Sequence, residues 1–183
     1  ATSFASSATG ETWTVNSSGS LPAQIVGRAS ALFNGTSHYL KCNAFTLNQP
    51  TCVLMVVKQV SWTAGDYVLD IGSAAGGAIL QQAGTTPELR MSAGSALSRT
   101  QATIGAKVVA ACVFNGASSL FGINGANTTG NSGANAFGNF SVGAASNGVA
   151  PSHIQVYETV IFPIAPSTAQ LDRLVAGLMA RHG

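Results

Sequence analysis

The chain has 183 residues, of which 46% are hydrophobic and only 8% charged, with a formal net charge of +2. Disorder is excluded, because it requires low hydrophobicity and high charge, and coiled coils and helix-rich folds, which draw on Glu, Lys and Arg, are excluded with it. In place of charge stand 29 Ala, 21 Gly, 20 Ser, 16 Thr and 11 Asn, a mixture suited to tight turns and to strands with neutral polar faces, so the composition reads as all-β.

In chain order, residues 1–20 read as an N-terminal arm or first strand. They hold one alternating piece, Thr12-Trp13-Thr14-Val15, and Trp13 is expected to dock the arm onto the body. From Gln24 onward short apolar runs recur between turn signals. Ala31-Leu32-Phe33 and Tyr39-Leu40 flank Asn34-Gly35, and Asn-Gly between such runs is the strongest short hairpin signal. The continuous apolar runs Val53–Val57 and Val108–Phe114 predict central strands with both faces covered. Between them, Asp66–Ile71, Ala78–Gln81 and Glu88–Met91 predict a meander of antiparallel strands. Leu120–Ile123 precedes Asn124-Gly125, and the polar stretch from there to Asn139 is expected to be a surface loop. A strand resumes at Phe140-Ser141-Val142. The longest alternating segment runs from His153 to Phe162 and ends at Pro163 and Pro166. About ten to twelve strands result.

One helix is predicted. Ser167 and Gln170 form a capping box, and Leu171, Leu174, Val175, Leu178 and Met179 make one apolar stripe, with Arg181 and His182 at the C-terminal end and Gly183 after them. These elements form one domain over 21–183, an antiparallel β-sandwich with a short C-terminal α-helix. Three cysteines, Cys42, Cys52 and Cys112, lack metal-ligand spacing. Buried thiols are the expected state, with a Cys42–Cys52 bridge as the alternative.

The assembled stretches resemble the concanavalin A-like, laminin-G-like sandwich (jelly-roll) family of bacterial and phage type. The likeness rests on Ala31–Leu40, Asp66–Gly72, Val113–Ser119 with Phe121–Gly125, and Ile154–Phe162 followed by Ser167–Gly183. It implies a lectin-like fold. Where the family's closing strand continues into a Tyr-Asn-Arg-like segment, this chain has Phe162-Pro163-Ile164. Calcium-binding members use acidic loop residues, and six dispersed acids make a hard-cation cage difficult to assemble, so no cofactor is expected, with calcium as the alternative.

Some sandwich relatives are glycoside hydrolases, which need two carboxylates about 5 to 10 Å apart. The nearest pair, Asp66 and Asp70, is four residues apart on one predicted strand, but Gly65 and Gly72 flank it, and strand-end solvation accounts for it. Glu158 reads as a structural hydrogen-bond acceptor, and His182 as exposed. No nucleophile elbow of the G-x-S-x-G type is present, and the expectation is a protein that is not an enzyme. Sugar recognition needs an aromatic face and nearby polar groups. Trp62, Asp66 and Tyr67 lie in one turn region and offer these, and Asn124, Asn127 and Asn131 add amides. The eight basic residues are scattered from Arg28 to Arg181, so nucleic acid is not an expected partner. No apolar run approaches the roughly 20 residues of a bilayer-spanning helix, and Ala1-Thr2-Ser3-Phe4 lacks the regions of a signal peptide. The sequence-level expectation is a non-catalytic lectin-like module of an extracellular or virion-borne protein, binding glycan or a cell-surface or virion partner. A phage structural or decoration protein is the alternative, and a glycoside hydrolase the second alternative. Sparse charge suits a surface partly covered by copies of the chain or by neighbours in a larger assembly.

Overall fold

The computed structural model describes the backbone of Ser3–Ala5 and Thr12–Asn16, and residues 30–42, 44–72, 77–81 and 86–183. The expected docking of Trp13 through its side chain lies outside the described residues, as do residues 17–29. In chain order the elements are β1 (Ser3–Ala5), β2 (Thr12–Asn16), β3 (Ala31–Leu32), β4 (Tyr39–Cys42), β5 (Thr51–Gln59), β6 (Tyr67–Asp70), β7 (Ala78–Gln81), β8 (Leu89–Ser92), β9 (Ala96–Arg99), β10 (Lys107–Phe114), β11 (Ser119–Ile123), β12 (Ala126–Gly130), β13 (Ser141–Val142), β14 (Ile154–Phe162) and α1 (Thr168–His182). They build two antiparallel sheets. One has eight strands in the order β1-β2-β4-β13-β6-β7-β8-β9, the other six in the order β12-β11-β10-β5-β14-β3. The predicted meander is the run β6-β7-β8-β9, whose last, exposed strand the sequence does not announce, since Ala96-Leu97-Ser98-Arg99 has one large apolar residue.

Strand alternation sorts the two long central strands into two cores. Val53, Met55 and Val57 of β5, with Val108, Ala110, Cys112 and Phe114 of β10, point between the sheets, where they meet Leu69, Ile79, Leu89 and Met91. Cys52, Leu54 and Val56, with Val109, Ala111 and Val113, point the other way, onto Leu171, Val175 and Leu178 of α1. Both faces of these strands are therefore covered, which is why they read as unbroken apolar runs. The helix begins as the sequence predicts: Ser167 Oγ accepts from Gln170 N–H, and Gln170 Oε1 accepts from Ser167 N–H at 2.9 Å. Among the described residues no helix is long and apolar enough to cross a membrane.

Several expectations are corrected. Asn34-Gly35 does not close a hairpin: β3 pairs with β14 in the six-stranded sheet and β4 pairs with β2 and β13 in the other. Asn34 Oδ1 accepts from the N–H groups of Thr36, Ser37 and His38, each at 3.0 Å, so the turn is satisfied internally and carries the chain from sheet to sheet. Asn124-Gly125 does form a hairpin, with both residues at positive φ, 50° and 84°, as a type I′ turn requires. The strand that follows, β12, lies within the stretch expected to be loop; Thr128 and Thr129 are uncharged, and β11 supplies the ladder. Met179 departs from the helix stripe and is 42% exposed.

His182 is not exposed. Its side chain is 10% accessible, and its Nε2–H donates to Glu158 Oε2 at 2.7 Å. Arg181 Nη1 donates to both Glu158 oxygens at 2.8 and 3.0 Å, which gives Glu158 its acceptor role. A β-bulge between Val156 and Glu158 places Tyr157 and Glu158 side by side on the helix side of β14. No disulfide joins Cys42 to Cys52. Cys42 faces the inter-sheet core and Cys52 the helix. Burial pushes the Cys52 thiol up to about 12 and the Cys112 thiol higher than its ordinary value as well.

Candidate functional site

The outer face of the eight-stranded sheet, opposite the helix, carries a cleft of about 900 Å³. Its floor follows from alternation and register. Ile79, Leu89 and Met91 enter the core, so Ala78, Leu80, Arg90 and Ser92 face outward. Pairing then lines these up in two rows across the strands: Asp70, Ala78 and Ser92 in one, Tyr67, Leu80 and Arg90 in the other. Ala78 is small and leaves a depression between its polar neighbours, while Leu80 gives an apolar floor between a phenol and a guanidinium.

One wall is the segment Ala145–Val149. Ser146 is held at both backbone groups: its N–H donates to Asp70 Oδ2 at 2.7 Å, and its carbonyl accepts from Lys41 Nζ at 2.7 Å. Gly148, at φ +83°, lies against the Tyr39 ring, where an added Cβ would sit 3.1 Å from the ring atoms; glycine alone makes this turn without strain. Gly94, Ser95 and Asn135 form the opposite wall. The cleft is thus shaped by fixed backbone and presents a phenol, a carboxylate, a guanidinium, hydroxyls and amides, the groups that bind polyhydroxylated ligands.

Arg90 and Asp70 do not neutralise each other. They stand two strands and two residues apart, about 12 Å between backbones at ordinary sheet spacings. The ion pairs among the described residues are those of Glu158. Arg90 Nε is buried and has no hydrogen-bond partner among the described residues. Nor does any group of three His, Cys, Asp or Glu that could hold a metal ion stand together among them.

Of the residues singled out from sequence, Tyr67 lines the cleft and Trp62 and Asp66 do not. Trp62 Nε1 is buried with no partner among the described residues. The Asp66 turn is strapped to β7: Gln81 Oε1 accepts from Thr63 N–H at 2.8 Å, and Gln81 N–H donates to the Asp66 carbonyl at 2.8 Å. Partial burial raises the Asp66 carboxyl above its ordinary value, against a hydrogen bond from Thr63. A β-bulge between Tyr67 and Leu69 breaks the alternation that would align Asp66 with Asp70.

The asparagines are not gathered. Asn124 Oδ1 accepts from Val109 N–H at 2.7 Å and Asn131 Oδ1 from Gly133 N–H at 2.8 Å, at opposite ends of β12 and about 20 Å apart along the strand. Asn127 lies over Gly122 of β11, where any Cβ would collide with its Oδ1. Sequence reasoning missed Arg90 and the 145–149 wall. The alternation Leu89-Arg90-Met91-Ser92 marks Arg90 and Ser92 as outward-facing, but only the cross-strand register brings them opposite Leu80 and Ala78.

The fold and site define a two-sheet antiparallel sandwich with an open polar cleft on the sheet face away from its helix. Solved structures share this fold. A Trypanosoma rangeli sialidase in complex with the inhibitor DANA matches with a TM-score of 0.64 at 14% identity, over 90% of this chain and 29% of the sialidase chain. The receptor-binding domain of botulinum neurotoxin C/D mosaic serotype matches with a TM-score of 0.69 at 9% identity, over 94% of this chain and 48% of that one. Domain 4 of AbnA, an extracellular GH43 arabinanase from Geobacillus stearothermophilus, in complex with arabinotriose, matches with a TM-score of 0.66 at 16% identity, over 91% and 88%. This chain therefore spans less than half of the sialidase and toxin chains. No family model and no curated protein matches the sequence. At such identities the likeness establishes the fold.

The comparisons also correct one expectation. Scarce carboxylates suggest a chain that is not an enzyme, yet the same sandwich stands within a sialidase and as a domain of an arabinanase, which are enzymes. The exclusion of enzymatic activity from composition does not hold.

Proposed function

We propose that this chain is a glycan-binding domain of concanavalin A-like, laminin-G-like type that seats carbohydrate in the cleft between Tyr67, Asp70 and Arg90. The observation that carries the reading is the cleft itself: a fixed hollow in which one aromatic ring, one apolar floor residue and several planar or hydroxyl-bearing polar groups converge. A sugar ring offers an apolar face to the aromatic and hydroxyls to the rest. The arabinanase domain, whose solved complex holds arabinotriose, supports it as a precedent on the same fold.

The test is a glycan array probed with the purified chain, with and without calcium, followed by calorimetry on any hit. Binding is expected, and Tyr67→Ala, which removes the aromatic face but none of the core, is expected to weaken it at least tenfold. Failure to bind any glycan under either condition overturns the proposal.

A further inference from the structure

We infer that the cleft selects glycans carrying a carboxylate, and that Arg90 is the residue that reads it. The inference rests on the glycan-binding reading and specifies its ligand class. Among the described residues two charged side chains line the cleft, and they are differently committed. Asp70 is nine-tenths buried, and its Oδ2 is engaged by Ser146 N–H at 2.7 Å, so this carboxylate works as part of the wall. Arg90 has no such commitment: no hydrogen bond or ion pair of its guanidinium stands among the described residues. Its Nε is closed off from solvent, so the two Nη groups are the donors that face a ligand; a guanidinium offers them in parallel, end-on, and a planar carboxylate accepts both at once, a geometry that a hydroxyl cannot reproduce. Leu80, next to Arg90 in the same cross-strand row, gives the ring carbons an apolar surface, and Tyr67 closes the row on the far side. The remaining lining groups are neutral: hydroxyls of Ser92, Ser95 and Ser146, and amides of Asn135 and Asn147. An acidic sugar thus finds one cation for its carboxylate and neutral partners for its hydroxyls. The separation of Arg90 from Asp70 by two strands keeps the fixed negative charge off that subsite.

Two chemical sources of such a carboxylate exist, uronic acids and nonulosonic acids, and the experiment distinguishes them. Binding is measured by calorimetry for a galacturonic acid hexamer against its carboxyl-reduced counterpart, and for sialyllactose against lactose. A preference of tenfold or more for the acidic member of either pair is expected, and the pair that shows it identifies the source. In Arg90→Gln the preference is expected to vanish. Arg90→Lys, which keeps the charge but loses the fork, is expected to retain only part of it, and the far-UV spectrum and melting temperature report folding of both. Equal binding of acidic and neutral members by the unaltered chain, or a preference that survives in folded Arg90→Gln, overturns the carboxylate inference and leaves glycan binding standing. Absence of binding to all four ligands and across the array overturns both.

Discussion

Glu158 shows how one side chain can fasten a helix. The hydrogen bond from His182 foremost holds its carboxyl below the ordinary carboxylate range, against burial as the next-largest effect, and the charge and hydrogen bonds of Arg181 add to the lowering. A depressed carboxylate stabilises the folded state above its unfolded value and loses that contribution as the pH falls below about 4.5. Glu158→Gln is accordingly expected to cost about 1 kcal/mol at pH 7, in keeping with a part-exposed pair. The gap to the unaltered chain should be smaller at pH 3. Urea titrations of both proteins at the two pH values check this, and an equal gap at both would refute the electrostatic account. Glu158 is legible from the sequence as an acceptor, but its donors are not, because a one-residue bulge decides that it faces the helix end. Tyr67 is legible as a candidate through its aromatic type and turn context, and the structure puts it on the cleft lining. Arg90 is not, since a lone arginine on an alternating strand has the same sequence signature on any solvated face.

At the scale of elements, the two Asn-Gly pairs separate what local chemistry decides from what packing decides. Asn124-Gly125 sits between strands that pair with each other, and the turn becomes a hairpin. Asn34-Gly35 sits between strands whose partners are elsewhere, and the same dipeptide becomes a corner. The helix follows from its apolar stripe, its cap from the local Ser167–Gln170 chemistry, and the two central strands from burial on both faces. In β14 the alternation is real but changes phase: Val156 opposes Val57 and Glu158 opposes Val56, with Tyr157 as the added residue. Deleting Tyr157 leaves Ile154, Val156, Thr159 and Ile161 on the core face. Deleting Thr159 instead drives Glu158 toward the inter-sheet core, where an unpaired carboxylate is strongly disfavoured. The first deletion is expected to fold with a modest loss of stability and the second to lose cooperative unfolding, as differential scanning calorimetry will report.

The whole molecule is organised around two unequal cores that share β5 and β10. Met55, fully buried between the sheets, is expected to cost about 2 to 5 kcal/mol when changed to Ala, measured by denaturant unfolding; a loss under 1 kcal/mol would show that the inter-sheet core collapses around the gap. The layer architecture was legible from composition and alternation, since few charges and many small residues leave little besides stacked sheets. The cleft was not, because it is a product of register and of one distant segment. β6, β7 and β8 follow one another as the predicted meander, but a bulge in β6 and the pairing register decide which side chains share the floor, and the 145–149 wall reaches them from a distant part of the sequence. The helix and the cleft occupy opposite outer faces, which gives the domain a back and a front. Coupling the protein to a sensor surface through exposed helix residues such as Asp172 or Arg173 would therefore present every cleft to the passing solution. Coupling through Lys41, which braces the wall, would silence it.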